Sequence, residues 1–328
     1  MSACRKAGIG RRPGGMGSGA KAETLNHKGF AHRAIGAPRA PSMRGAVMVR
    51  TSSFLTLVAL AAVARPAVAI ELQPATADAW QEYVRNAGVR MQARVSGNES
   101  FLWMDQAENR TLRVRQGEIM VAPMVGKGIQ NVPGGIIHHW IGAAFIPGAT
   151  METLLTVVHD YDRYSQFYKP VVKDSKSLAS NATEREFSMV WAQHVLFINA
   201  AMQGWYRAQD FQVDSRRGYS IVSATRIQQI DHYRHSSEHL MSPDTGDGFM
   251  WRIHTIARYE QRDGGVYLEI EAMALTRDVP ASLRWMVMPA VNHLSISSLT
   301  TTLSQTRQAI GAHRATVVLA MQGRKGEN

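Results

Sequence analysis

The sequence is almost free of cysteine, since its one cysteine, Cys4, lies in an N-terminal leader. The rest of the chain therefore offers no disulfide, no thiol nucleophile and no cysteine ligands for zinc. It also lacks a phosphate-binding loop, a dinucleotide fingerprint, and the G-x-S-x-G and H-E-x-x-H signatures of hydrolases. We therefore expect no cofactor and no metal, and no residue is assigned a catalytic role.

Acidic residues are scarce near the N-terminus. Residues 1–69 hold 11 of the 37 Lys and Arg residues but only one of the 26 acidic residues. The rest of the chain is nearly neutral, so the formal charge of +11 does not indicate nucleic-acid binding.

Residues 48–69 show the three-part pattern of a secretory signal peptide. A basic start at Arg50 is followed by an apolar core over residues 54–64 and by Ala67-Val68-Ala69. The apolar core is too short to span a bilayer. We predict cleavage near Ala69 and a periplasmic or secreted bacterial protein, with an uncleaved membrane anchor as the alternative. Residues 1–47 are interpreted as an unstructured leader or a misassigned start.

Residues 250–260 and 266–277 alternate apolar and polar side chains, which predicts two half-buried strands. Asp263-Gly264 between them is typical of a two-residue hairpin turn. Pairing of Arg262 with Gly265 then places Tyr259 opposite Leu268 and Arg258 opposite Glu269. We predict that Val266, Leu268 and their alternate neighbours face the core. Glu269 and Glu271 on one strand are predicted to form an exposed charge ladder with Arg252 and Arg258 on the other.

A helical pattern with one apolar stripe begins near Asn292, and Gly311 stands where a C-terminal cap is expected. The link before it carries Trp285, Met286 and Met288, which would form a membrane-touching or ligand-gating lip if exposed. Residues 312–328 are interpreted as a C-terminal tail.

The remaining elements divide the chain into an extension and a main domain. Residues 70–133 are predicted to hold a helix over 76–94, capped by Thr76, and short strands over 101–105 and 112–122. Residues 134–311 are predicted to form a strand, two helices (the first capped by Thr150), six antiparallel strands and the long helix.

This order resembles that of the helix-grip superfamily, which includes START lipid-transfer domains and polyketide cyclases. Two segments carry the resemblance: HHWIGAAFIPGATMETLLTVVHDYDRYSQFYKPVVKDSKSL and GFMWRIHTIARYEQRDGGVYLEIEAMALTRDVPASLRW. The second is similar to secreted bacterial START-like proteins of undefined ligand. The resemblance implies an α+β fold in which a curved antiparallel sheet of about seven strands wraps around the C-terminal helix. It also implies a cavity for a hydrophobic ligand and transfers no catalytic residue.

Broad aromatic and Met side chains suit such a cavity. The expected function is therefore binding or transport of a lipid, isoprenoid or quinone-like molecule, with transient membrane contact possible. The predicted ligand-binding residues are Trp140, Phe187, Met189, Trp191, Trp205, Tyr206, Arg226, Trp251, Ile253, Thr255, Leu299 and Leu303.

Two alternatives stay open. A cyclase or dehydratase-type enzyme would draw an acid and a base from Arg226, Arg252, Glu271 or His254. An interaction module would have its groove filled by the N-terminal extension. The cluster of His232, His235 and His239 is interpreted as a solvated hairpin loop instead of a metal site.

Overall fold

A computed structural model describes residues 70–195 and 198–325 of the chain. The predicted leader and signal peptide, residues 1–69, lie outside the described residues. The described part has three layers, in which an N-terminal segment covers one face of a sheet and a long C-terminal helix covers the other.

The N-terminal segment begins with α1 (Pro74–Val95), which confirms the helix predicted over residues 76–94. Thr76 does not cap this helix but lies inside its first turn, where its hydroxyl donates to the carbonyl of Pro133 at 2.6 Å. A 3-10 turn (Met104–Gln106) and α2 (Glu108–Arg115) follow. The strand predicted over residues 101–105 is wrong, because these residues lead into the 3-10 turn. The strand predicted over residues 112–122 is confirmed only at its end, since residues 112–115 lie in α2 and residues 120–122 belong to a strand of the sheet.

The sheet has ten antiparallel strands, three more than predicted. In space the order is β1-β3-β10-β9-β7-β6-β5-β4, while β2 also pairs with β3 and β8 with β7. The additional strands are the short β1, β2 and β8. The bounds are β1 (Met120–Pro123), β2 (Ile129–Val132), β3 (Gly135–Pro147), β4 (Val172–Ser180), β5 (Glu184–Val195), β6 (Ile198–Gln212), β7 (Arg217–Asp231), β8 (His239–Leu240), β9 (Arg252–Arg262) and β10 (Gly265–Arg277).

The β9–β10 hairpin has the predicted register. Arg262 pairs with Gly265, Tyr259 with Leu268 and Arg258 with Glu269. Both turn residues have positive φ, at 55° for Asp263 and 76° for Gly264, which is the conformation that a two-residue hairpin turn requires.

Two short helices link β3 to β4. The first, α3 (Met151–Val158), is capped as predicted, since the Thr150 hydroxyl accepts a hydrogen bond from the backbone N–H of Thr153 at 3.1 Å. A 3-10 turn (Tyr161–Arg163) and α4 (Tyr164–Phe167) follow.

The C-terminal helix, α5 (Ala281–Lys325), is much longer than predicted. It begins soon after β10, contains Pro289, and runs through Gly311 into the region predicted to be a tail. A side chain at Gly311 would meet nothing within 4 Å, so no packing at this position forces the helix to end.

Both faces of the central strands are covered. The face bearing Tyr267, Glu269 and Glu271 packs beneath α1 and residues 101–104, and we call it the outer face. The face bearing Val266 and Leu268 packs against α3 and α5, and we call it the inner face. The predicted exposed charge ladder is wrong, because Arg258, Glu269 and Glu271 are only 1%, 0% and 4% exposed.

Candidate functional site

The sheet curls around α5 so that distant strands reach the same helix. At β3, a Cβ added to Gly142 would lie 2.7 Å from the Leu303 Cδ1 atom, so the helix passes directly over this glycine. At β5, the Gln193 side-chain amide donates to the Ser298 hydroxyl at 3.5 Å. Because β3 and β5 are separated by four strands, contact of both with one helix requires a strongly curved sheet.

The inner face is closed near the hairpin turn. Val266, Leu268 and Tyr259 are buried there with Leu303 and Ile310 of α5 in one apolar cluster. This end of the sheet–helix space is filled by the side chains of the protein itself.

Farther along β10 the inner face opens. Ile270, Ala272 and Ala274 are partly exposed, whereas Glu271 and Met273 beside them on the outer face are buried. Since β3 and β9 flank β10 on both sides, the exposed area of these inner residues faces the space beneath α5.

The neighbouring strand β9 repeats this pattern. Its inner residues Ile253, Thr255 and Ala257 are partly exposed, while His254 and Ile256 on the outer face are buried. We call the space beneath the N-terminal half of α5, lined by these residues of β9 and β10, the groove. Trp140, Met202, Ile227 and Leu299 are buried around it, yet they join none of the three packed apolar clusters.

The three strands on the sheet side of the groove present almost no charge to it. Within β3, β9 and β10, every Asp, Glu, Lys and Arg side chain lies on the outer face or at a strand end, and the inner positions carry one titratable imidazole, His138. Burial lowers the pKa of His138 to about 4, so the ring is neutral at neutral pH.

An aromatic stack closes the side of the groove beneath α3 and α4. Phe187 stacks between Tyr161 and Tyr206, with ring centroids 4.1 and 5.0 Å apart, and the Trp191 indole N–H donates to the Tyr206 hydroxyl at 3.2 Å. The packing fixes the aromatic side chains of β5 and β6 in place.

The structure brings together most of the residues predicted to bind a ligand. Those on the inner face or on the facing side of α5 are Trp140, Phe187, Met189, Trp191, Tyr206, Ile253, Thr255, Leu299 and Leu303. Of these, Phe187 and Leu303 are packed in the clusters that bound the groove.

Three of the predicted residues lie elsewhere. Trp205 precedes the inward-facing Tyr206 in a strand and therefore points to the outer side, where the Arg226 guanidinium stacks on it at 3.6 Å. Trp251 is buried in the cluster beneath α1. Hydrophobic character alone does not distinguish the two faces of a strand. For Trp205, the alternation of side chains along β6 indicates that it points away from the face of Tyr206, and the prediction did not use this alternation.

The acid and base candidates of the enzyme alternative do not meet in the groove. Glu271 and His254 are buried on the outer face, Arg252 pairs with Asp244 by the β9 start, and Arg226 is exposed. Burial lowers the pKa of His254 to about 4, and its Nδ1 atom is 2.8 Å from the Ser223 hydroxyl.

Sequence reasoning missed a buried ionic network on the outer face. Arg258 donates to Glu269 at 3.1 Å and to Glu271 at 2.6 Å. The His139 imidazole lies 2.9 Å from Glu271 and 2.8 Å from the Tyr83 hydroxyl of α1. Burial alone would raise the pKa of Glu271, but the His139 hydrogen bond and the Arg258 charge outweigh it and lower the pKa to about 2.

The network also holds the N-terminal segment in place. The Glu269 carboxylate accepts the backbone N–H groups of Trp103 and Met104 at 2.9 and 2.8 Å. These charge-assisted bonds tie residues 101–104 to the outer face, whereas Ile119 of the same extension packs against the apolar cluster of the inner face.

Among residues 70–195 and 198–325, one group of potential metal ligands comes together. Asp231, His232 and His239 place one donor atom each within 4.8 Å of one another at the β7–β8 connection. Both imidazoles are exposed and bond to Ser237, which is consistent with the predicted polar hairpin loop.

Two surface depressions lie outside the groove. One, of about 450 Å³, is lined by turn residues such as Gly148, Arg216 and Asp263. The other, of about 280 Å³, lies beside Trp205 and Arg226. Both open widely to solvent and lack an apolar enclosure, so the groove is the better candidate for a ligand site.

The first turns of α5, which border the open end of the groove, expose apolar side chains. Trp285 is 77% exposed, and Leu283 and Met286 are also exposed. No helix in the described part of the chain is both long enough and apolar enough to cross a membrane.

The architecture is a START-like helix-grip fold, because a curved antiparallel sheet with two short helices after its first long strand grips one long C-terminal helix. No protein-family model matches the chain, and comparison with curated proteins gave no match.

Solved structures with a similar arrangement include lipid-transfer proteins and a cyclase. The STAR-related lipid transfer protein of Xanthomonas axonopodis is 16% identical (58% of this chain, 98% of that chain, TM-score 0.37). The Zhui aromatase/cyclase of Streptomyces sp. R1128 is 12% identical (53% and 96%, TM-score 0.34). Human StAR-related lipid transfer protein 5 is 9% identical (68% and 99%, TM-score 0.33). The fold assignment rests on the topology of this chain, not on these low similarities.

Proposed function

We propose that this protein binds an uncharged hydrophobic small molecule in the groove between the inner sheet face and α5. The observation that carries the proposal is the burial pattern of β10. Its inner residues Ile270, Ala272 and Ala274 remain partly exposed beneath a helix, although their outer neighbours are fully buried. Apolar area retained over inner strand positions that carry no Asp, Glu, Lys or Arg in β3, β9 and β10 favours an apolar occupant, whose burial contributes about 25 cal/mol per Å².

A filling substitution tests this proposal. Binding of the uncharged fluorophore N-phenyl-1-naphthylamine to the purified chain is measured by fluorescence, and native mass spectrometry detects co-purifying apolar molecules. We expect Ala272→Phe to weaken probe binding at least tenfold, because the new ring occupies the groove. Ala179→Phe, on an exposed strand position, serves as the control. Equal probe binding by the two variants, or no binding by the unaltered chain, would contradict the proposal.

We also propose that the first turns of α5 contact a membrane surface while the ligand enters or leaves. Trp285 and Leu283 are exposed beside the groove, and α5 contains no acidic residue along its whole length. Trp favours the membrane interface, and a helix without acids avoids repulsion by anionic lipids. The setting proposed from the sequence is periplasmic or secreted, after cleavage near Ala69.

Vesicle sedimentation tests the membrane contact. Trp285→Ser is expected to reduce co-sedimentation with phosphatidylglycerol vesicles several-fold. Leu112→Ser, which alters an exposed apolar residue on α2, should leave sedimentation unchanged. Equal losses in both variants would show that general surface hydrophobicity, not this end of α5, carries the contact.

A further inference from the structure

Away from the groove, three side chains at the β7–β8 connection bring metal-ligand atoms together. Asp231 ends β7 and pairs directly with His239, which begins β8. Residues directly opposite each other in an antiparallel pair project from the same face, so this carboxylate and this imidazole lie side by side. The chain turns back at His232, whose φ is 51°, and the ring centroids of His232 and His239 are 6.2 Å apart. One donor atom of each residue lies within 4.8 Å of the other two.

The loop that joins these residues is held by its own hydrogen bonds. The His235 backbone N–H donates to the His232 carbonyl at 2.8 Å, and the Glu238 N–H donates to the His235 carbonyl at 3.0 Å. The Glu238 carboxylate accepts the backbone N–H of Arg234 at 2.6 Å, and the Asp231 carboxylate accepts that of His232 at 3.0 Å. These bonds fix the backbone from which the three side chains project, so little ordering would accompany the binding of an ion.

The hydrogen bonds of the two imidazoles leave a ring nitrogen suited to a metal. The His239 Nδ1 atom lies 3.1 Å from the Ser237 carbonyl oxygen. Because a carbonyl oxygen can only accept, Nδ1 carries the proton and Nε2 of the neutral ring presents a lone pair. Metal-binding histidines commonly donate their second N–H to a backbone carbonyl in this way. The Ser237 hydroxyl, 3.1 Å from the His232 Nδ1 atom, can accept the N–H of that ring in the same manner.

The donor set indicates the kind of metal. Two imidazoles and one carboxylate favour a divalent transition metal over magnesium or calcium, which prefer oxygen ligands. Zinc binds imidazole nitrogen at about 2.0–2.1 Å, so the ligand atoms of a tetrahedral site stand roughly 3.3 Å apart. Closing the present separations to that value requires shifts of about 1 Å by side chains that are 58% (His232) and 40% (Asp231) exposed. The same exposure allows water to take the fourth position.

We propose that Asp231, His232 and His239 bind a divalent transition-metal ion of the zinc type, with water completing the coordination. Spacing along the sequence instead groups His232 with His235 and His239. Strand pairing brings Asp231 beside His239, so the structure puts Asp231 in the converging group in place of His235. The ion would join the end of β7 to the start of β8. This inference does not depend on ligand binding in the groove.

Hydrogen exchange of the full chain, without an affinity tag, tests the site at pH 7.5. We expect ZnCl₂ to slow exchange of the backbone amides of residues 231–240 about tenfold or more, because the ion would link two strand ends, and MgCl₂ to leave it unchanged. The measurement is localised, so zinc bound elsewhere on the chain does not affect the result. Unchanged exchange of residues 231–240 in saturating ZnCl₂ would overturn the inference.

Matched variants assign the ligands. His239→Ala removes a ligand from β8, and Asp231→Asn removes the charge from β7 while keeping an acceptor for the His232 N–H. Each should weaken the zinc-dependent protection at least about tenfold in the ZnCl₂ concentration required, since even the loss of an outer-shell partner typically costs that much. His235→Ala, in the same loop but outside the converging group, is the control and should require the same concentration. An equal loss in His235→Ala, or full protection in His239→Ala, would refute the assignment.

Discussion

The buried Arg258 network gives the sharpest stability prediction. Replacing Arg258 by Met keeps most of the side-chain volume but leaves the carboxylates of Glu269 and Glu271 without their shared cation. Glu269 keeps the two backbone N–H donors, and Glu271 keeps His139. Removal of one partner from a buried ion pair costs about 3–5 kcal/mol, because an uncompensated charge stays buried. We expect a loss of about 4 kcal/mol for Arg258→Met.

Arg207 provides a matched control, since it also pairs with two carboxylates. It lies 3.3 Å from Glu184 and 2.9 Å from Glu186, but its side chain is 50% exposed. Exposed ion pairs contribute about 0–1 kcal/mol, so Arg207→Met should change stability little. The contrast between the two variants isolates the effect of burial from that of charge pairing.

Urea unfolding of both variants, followed by tryptophan fluorescence, measures the difference. A loss of about 4 kcal/mol corresponds to a melting temperature lowered by roughly 8–16 °C for a domain of this size. Hydrogen exchange should rise in residues 76–104, because the network anchors Tyr83 and residues 101–104 to the sheet. If Arg258→Met costs no more than Arg207→Met, the network does not hold the two layers together.

Three further predictions concern pH, packing and capping. Burial lowers the pKa values of His138 and His254 to about 4. As the pH falls, each histidine is therefore protonated in the unfolded chain at a higher pH than in the folded chain. The free energy of unfolding should fall as pH drops from about 6.5 to 4, by about 3 kcal/mol for each histidine, and urea titrations of His254→Leu should show roughly half of this fall. Gly142→Ala should cost about 1–3 kcal/mol in the same assay, since its methyl group would press on Leu303, while a cost below about 0.5 kcal/mol would show that the Leu303 side chain moves aside. Thr150→Ala should cost about 1 kcal/mol through loss of the α3 cap, and Thr150→Ser should restore most of it.

Local features of the fold could be predicted from the sequence. The Asp263-Gly264 turn and the alternation on each side of it specified the hairpin register, because side-chain period and turn chemistry act over a few residues. The Thr150 cap was equally local. By contrast, Gly311 suggested a helix end that the structure does not use, since the helix continues beyond it and Ile310 beside it packs in the inner-face cluster.

The candidate site could be predicted only in part. Trp140 and Ile253 were identified as groove residues from their apolar character, but the same criterion wrongly included Trp251. The buried network of Arg258, Glu269 and Glu271 was missed because the residues that cover the outer face lie far from β10 in the sequence.

The sequence by itself determined the hairpin pairing and the order of the long strands and helices of the main domain, since these patterns depend on neighbours a few residues apart. Only the tertiary structure decided that the charged face of β10 is the more deeply buried one. The alternation of side chains along a strand identifies its two faces but does not indicate what covers them. Here the backbone N–H groups of Trp103 and Met104, far away in sequence, make the burial of Glu269 possible. The inner face stays partly open because α5 packs closely only near the hairpin turn, which leaves the apolar space beneath its first half.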